Sequence, residues 1–182
     1  MMDTEGPGSI VRIWMTFAGN NSGKGILRFY FDNDTVALIQ GTAFSILSGG
    51  LWVGEPLGTS VSDLSPYEMR GHNFYLPLPY ASHCKITYES ENITIPGNKD
   101  NSGESVYYNI NYRTYNADVS LETFSLEAFQ KAETRIKETQ ELLRERDQGI
   151  DPSGLEKEEF SATLKPGETW GTSYTGSKAI RS

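Results

Sequence analysis

Apolar and polar positions alternate in short runs along most of the first 115 residues, the period-two signature of half-buried strands. In residues 9–17, Val11, Ile13, Met15 and Phe17 make an apolar face, while Arg12, Trp14 and Thr16 share the other. Residues 26–32 repeat the arrangement, with Leu27, Phe29 and Phe31 on one side and Arg28 and Tyr30 on the other. The Gly/Asn/Ser loop between them, residues 19–25, predicts an antiparallel hairpin. Further strands are expected over 35–40, 73–78 and 83–89. The longest run is 105–115, rich in β-branched and aromatic residues. Its alternation predicts a core face of Tyr108, Ile110, Tyr112 and Thr114. The opposite face, Tyr107, Asn109, Asn111, Arg113 and Tyr115, suits a hydroxyl-rich ligand or a neighbouring domain.

After Tyr115 the period changes. Residues 121–124 read as a short strand, and from Leu126 the apolar positions Leu126, Phe129, Ala132, Ile136 and Leu143 fall on one helical stripe. Ser125 is a suitable N-cap; Gly149 and Pro152 are suitable stops. Residues 42–47 predict one helical turn, and 51–71 a long irregular loop, a place where function often resides. Alternation returns at 159–164, 169–174 and 178–181, as the beginnings of new strands. The chain is therefore expected to be mainly β. It reads as a jelly-roll β-sandwich over 1–119, a connector with one long helix over 120–152, and the start of a second jelly roll over 153–182.

With 182 residues, 37% hydrophobic and 22% charged, the chain is long enough to bury a real core. A net charge of −8 argues against a nucleic-acid partner, which needs clustered cations. No apolar run is long enough for a membrane-spanning helix, and no signal peptide is visible. The single cysteine, Cys84, excludes an internal disulfide and reads as a buried thiol. With His72 and His83 the only histidines, a zinc site would need carboxylates from elsewhere, so neither a metal nor a cofactor is expected.

Gly19-Asn20-Asn21-Ser22-Gly23-Lys24-Gly25 superficially resembles a phosphate loop. It is one residue short, lacks Ser or Thr after Lys24, and leads into a strand rather than a helix. Glu55, Asp63 and Glu68 share the long loop. Sequence alone does not set any two of them at the separation that glycoside hydrolysis requires, and solvated loop charges are the simpler reading.

Four separated motifs carry a resemblance. They are Gly6-Pro7-Gly8-Ser9-Ile10-Val11-Arg12-Ile13-Trp14, Leu27-Arg28-Phe29-Tyr30-Phe31-Asp32, Phe74-Tyr75-Leu76-Pro77-Leu78-Pro79-Tyr80 with Cys84-Lys85-Ile86, and Tyr107-Tyr108-Asn109-Ile110-Asn111-Tyr112-Arg113-Thr114-Tyr115. In this order they resemble a double jelly-roll glycoside hydrolase family that includes α-D-fructofuranosidases acting on difructose dianhydrides and D-arabinofuranosidase-like proteins. The resemblance implies a retaining furanosidase with tandem jelly rolls, assembled as trimers or their multiples. It also implies a catalytic glutamate pair in the second jelly roll, in Gly-Glu-Gly-Asp and Gly-Thr-Glu-Asp-Tyr-like motifs. Neither motif occurs in these 182 residues. The expectation is therefore an N-terminal portion that does not hydrolyse sugar alone.

Within the resembling motifs, Trp14, Arg113 and Tyr115 are the candidate sugar contacts. Aromatic faces stack on sugar rings and Arg donates several fixed hydrogen bonds to hydroxyls. Packing between sheets or against a neighbouring domain is the competing reading for each. Two other functions fit the same pattern: a non-catalytic carbohydrate-binding jelly roll, and a self-assembling structural jelly roll.

Overall fold

The computed structural model describes residues 1–20, 22–91, 93–94, 103–148 and 158–176. The chain divides into two compact units, Met1–Gln148 and Gly149–Ser182. The first is a β-sandwich followed by a helix. Its strands are β1 (Met2–Glu5), β2 (Gly8–Ala18), β3 (Ile26–Phe31), β4 (Ile39–Thr42), β5 (Gly58–Val61), β6 (Gly71–Phe74), β7 (Leu78–Tyr80), β8 (His83–Glu89) and β9 (Ser105–Thr114); its helices are α1 (Ala43–Leu47) and α2 (Leu126–Gln148).

One sheet runs β1-β8-β3-β4, with every neighbour antiparallel. The other is built around β2. On one flank of β2, β6 pairs with Ile13–Met15 and β7 with Gly8–Ile10, so these short strands continue one another; β5 lies beyond β6. On the other flank β9 pairs along nearly the whole of β2 and, among the described residues, forms the sheet edge. The core fills the space between the sheets with Ile13, Met15 and Phe17 from β2, Leu27 and Phe29 from β3, and Ile86 from β8, all buried. Burying such side chains contributes roughly 1.5–3 kcal/mol each.

Several expected elements move. Residues 9–17 and 26–32 do not pair as a hairpin: β2 and β3 belong to different sheets, and the loop between them crosses the sandwich. A seven-residue loop is long enough to cross from one sheet to the other, and the core-facing alternation of both strands is the same in either topology. Between Ile10 and Arg12 the β2–β9 register shifts, so Val11 is bulged and Ile10, not Val11, enters the core. The expected strand at 35–40 lies at Ile39–Thr42, and that at 73–78 splits into β6 and β7. β1 lies where no strand was expected, and β5 in the stretch read as a loop. Residues 121–124 and 158–176 form no strand, and the run 178–181 lies outside the described residues.

Thr42 caps α1, its Oγ1 accepting from the Ser45 N–H at 3.2 Å. Ser125 caps α2, its Oγ accepting from the Ala128 N–H at 3.1 Å. Phe129, Ile136 and Leu143 pack on the core as the stripe predicts, but Leu126 is half-exposed and lies off it. Trp52 meets Phe124 and Phe129 edge-on, and Gln140 Nε2 donates to the carbonyls of Gly54 and Glu55 at 2.7 and 3.0 Å. In the second unit, Phe160 and Trp170 pack with ring centroids 5.3 Å apart.

Candidate functional site

The outward face of the β2 sheet follows from its register. Thr59, Asn73, Trp14 and Asn109 stand in one row across β5, β6, β2 and β9. The next outward row is Val61, Gly71, Thr16 and Tyr107, with Thr16 one position beyond the last β2–β6 pair, Met15–His72, and on the other side Arg12 stands opposite Asn111. The face thus carries three amides, a guanidinium, two hydroxyls, an indole and a phenol, with no apolar residue at its centre.

Arg12 organises it. Its Nη2 donates to Asn73 Oδ1 at 3.0 Å and its Nη1 to Asn111 Oδ1 at 3.5 Å, while its guanidinium lies 5.8 Å from the centre of the Tyr75 ring. The Tyr75 hydroxyl donates to the same Asn73 oxygen at 3.3 Å. Asn73 is buried, so these donors satisfy an amide oxygen that would otherwise be costly there. A fixed guanidinium with N–H groups to spare and a fixed amide make a rigid set of hydrogen-bond directions. The Trp14 indole is half-buried because it lies over Gly71, where a Cβ would come within 2.7 Å of Nε1. Trp14, Thr16, Tyr107 and Tyr108 line a shallow open depression at the β9 side.

The candidates named from sequence do not converge. Trp14 stands in the central row. Arg113 opposes Ser9, four residues further along β9 than Asn109, which is about 13 Å at a strand's rise of roughly 3.3 Å per residue. Tyr115 follows the strand; its N–H donates to the Pro7 carbonyl at 2.9 Å and its ring is exposed. The expected core face of 105–115 is mostly uncovered: Tyr108 and Tyr112 are exposed, Ile110 is half-buried, and Thr114 is exposed. Among the described residues the opposing sheet has four strands and this one five, so alternation fixed which side each residue faces but not whether anything covers it.

Sequence reasoning placed Arg12 on the face of Trp14 without nominating it, although the shared parity was the available signal. Asn73 and Tyr75 were missed because only the β2–β6 pairing brings them to Arg12.

The loop carboxylates take separate local partners. Asp63 pairs with Arg70 at 3.0 Å, and Thr59 Oγ1 donates to Glu55 Oε1 at 3.3 Å, which sets Glu55 at the β5 edge of the polar face. Glu68 lies in a one-turn 3-10 helix, Tyr67–Met69. His72 is fully buried on the opposite side of the sheet. Its Nε2–H donates to the Tyr67 carbonyl at 3.0 Å, which leaves Nδ1 to accept from Ser48 Oγ at 2.7 Å. Burial holds its pKa below the ordinary histidine value, against the opposing pull of the Tyr67 carbonyl. Cys84 is fully buried, and burial pushes its thiol up to about 12, which makes it inert as a nucleophile. Among the described residues no three His, Cys, Asp or Glu side chains gather as metal ligands.

The loop at residues 19–25 has a structural occupation. Gly23 N–H donates to the buried carboxyl of Glu104 at 2.6 Å, and the Tyr88 hydroxyl donates to the same oxygen at 2.8 Å. Gly23 takes φ +70°, and a Cβ there would sit 1.9 Å from the Phe44 ring, so glycine is required on both counts.

A family model described as the GH172 first beta-sandwich domain matches residues 1–132. No curated protein and no solved structure matches the chain.

Proposed function

We propose a function for this chain from one premise: it belongs to the GH172 family, whose first β-sandwich domain it contains. The outer face of the β2 sheet is a carbohydrate-contact surface for furanose-containing glycans, fructofuranosides or arabinofuranosides, in a glycoside hydrolase-like protein. Hydrolysis is assigned to a two-carboxylate retaining mechanism whose glutamates lie outside these 182 residues, so the chain by itself binds without cleaving.

The observation that carries this reading is the Arg12–Asn73–Asn111–Tyr75 network beside an indole whose Nε1 edge lies over Gly71. Hydroxyl-rich ligands are recognised by fixed donors and acceptors next to an aromatic face. Trp14 and Tyr107 supply the aromatic surfaces, and Arg12 with Asn109 and Asn111 the polar partners. Arg113 and Tyr115 extend the face about two or three sugar rings further, given the roughly 13 Å offset along the strand. No metal or cofactor is part of the scheme, and the family resemblance adds a trimer-based assembly.

Calorimetric titration of the chain with fructofuranosyl and arabinofuranosyl oligosaccharides tests it. Binding is expected in roughly the millimolar range, as befits an open surface. Arg12→Ala should abolish it while far-ultraviolet circular dichroism stays native, and a chromogenic furanoside should stay intact. No heat with either sugar class, or an unaffected Arg12→Ala variant, rejects the reading. Turnover of the furanoside by the chain would reject the assignment of the chemistry elsewhere.

A further inference from the structure

Among the described residues β9 is a ten-residue edge strand, and Arg113 is its one charge among the devices that usually blunt an edge. It contains no proline and no lysine, and the bulge in this pairing lies in β2 rather than in β9. Tyr115 N–H points to the β2 side, where it reaches the carbonyl of Pro7, the residue before β2. N–H and C=O groups alternate sides along a strand. The odd residues of β9 therefore bond to β2, and Val106, Tyr108, Ile110, Tyr112 and Thr114 direct theirs to the open edge.

That open edge is self-complementary. We propose that β9 pairs antiparallel with β9 of a second copy of this chain about a two-fold axis at Ile110, joining two five-stranded sheets into one. In this register Ile110 meets its own equivalent, Tyr108 meets Tyr112, and Val106 meets Thr114, each as an outward-bonding pair. On the polar face Asn109 meets Asn111, and Arg113 lies over Tyr107, a cation–π arrangement. All the pairs are mutual, as a two-fold contact demands.

Charge selects the same surface. The chain carries −8 overall, which opposes self-association across most of it, yet residues 105–115 contain no carboxylate and one cation. The uncovered aromatic side agrees, with Tyr108 48% and Tyr112 46% exposed on what would be the interior face. One strand pair with its flanking rings lies at the low end of protein interfaces, near or below about 1,200 Å² in total. The dimer is accordingly reversible and dependent on concentration. It is a two-fold contact, separate from the three-fold assembly implied by the family resemblance. It stands whether or not the polar face binds sugar.

Sedimentation velocity on the full chain from micromolar to millimolar concentration reads the association. A monomer–dimer equilibrium is expected, and it should be weakened at least tenfold in Tyr108→Lys and in Tyr112→Glu separately. The double variant Tyr108→Lys/Tyr112→Glu should regain most of the lost affinity, because position 108 faces position 112 in this register only. Both positions are exposed, so folding is retained, and circular dichroism checks it. A chain that stays monomeric at millimolar concentration overturns the proposal. So does a dimer indifferent to the single changes, or one not restored in the double variant.

Discussion

Asp32 joins three parts of the sandwich, and replacing it by asparagine gives a quantitative test of how the fold is tied together. It ends β3 at φ +52°, a left-handed conformation that asparagine tolerates as well as aspartate. Its Oδ1 accepts from Ser82 N–H at 2.7 Å, Ser82 Oγ at 3.0 Å and His83 N–H at 3.2 Å, and its Oδ2 accepts from Thr123 Oγ1. Thr123 Oγ1 in turn accepts from the Ala81 N–H at 2.9 Å, so the carboxylate links the β7–β8 turn to the segment that leads into α2. Burial works to raise its pKa, but the donors from Thr123, Ser82 and His83 outweigh it and the net shift is downward. The Asp32→Asn amide would keep the shape and one acceptor while losing the charge that strengthens these bonds. Hydrogen bonds to a charged group contribute roughly 1.5–3 kcal/mol each, against about 1 for neutral ones. Because the group is partly in water, a total loss of about 1–3 kcal/mol is expected, or roughly 2–12 °C in Tm for a chain of this size.

The pH dependence has a definite sign. A depressed carboxyl pKa contributes stability above the unfolded value near 3.9, and that stability is lost as pH falls through the lower folded value. Urea unfolding of wild type and Asp32→Asn at pH 7 and at steps down to pH 2 should therefore show a gap that is constant above about pH 5 and narrows below about pH 4. A gap under about 0.5 kcal/mol at pH 7, or one that does not narrow in acid, refutes the reasoning.

Two further substitutions probe other joints. Glu104 presents one buried oxygen to Gly23 N–H and Tyr88 OH, while its other oxygen is buried without a partner among the described residues; Glu104→Ala should cost about 2–4 kcal/mol by urea unfolding and Glu104→Gln less than about 1, since Gln retains the accepting oxygen. Gly71→Ala places a Cβ against the Trp14 Nε1 and within 3.1 Å of Val61 Cγ2; it should lift the indole from the sheet and weaken sugar binding in calorimetry at least threefold, with the cooperative unfolding transition intact.

Much of the sandwich was legible because alternation directly encodes which side of a strand is apolar. β8 and β9 fell where the pattern placed them, as did the Ser125 cap of α2. Alternation carries no information about which strand lies next to which. The expected β2–β3 hairpin failed for that reason, and the core face assigned to Tyr108 and Tyr112 failed because coverage depends on the opposing sheet. β1 and β5 were too short to announce themselves; each has only four residues. The candidate face was half-legible. Trp14 and Arg12 share a parity that sequence displays, whereas Asn73 and Tyr75 reach Arg12 only through the β2–β6 pairing. Arg113 and Trp14 share a face, but only the register shows how far apart they stand.

The central claim is that the outer face of the β2 sheet meets furanose sugars. The indole N–H signals of Trp14, Trp52 and Trp170 in a ¹⁵N-labelled chain test it most directly, because Trp52 is packed against Phe124 and Phe129 and Trp170 against Phe160. Titration with a fructofuranosyl or arabinofuranosyl oligosaccharide should move the Trp14 signal in a saturable way and leave the other two in place. A Trp14 signal that stays fixed through millimolar sugar, or that moves no more than those of Trp52 and Trp170, contradicts the account.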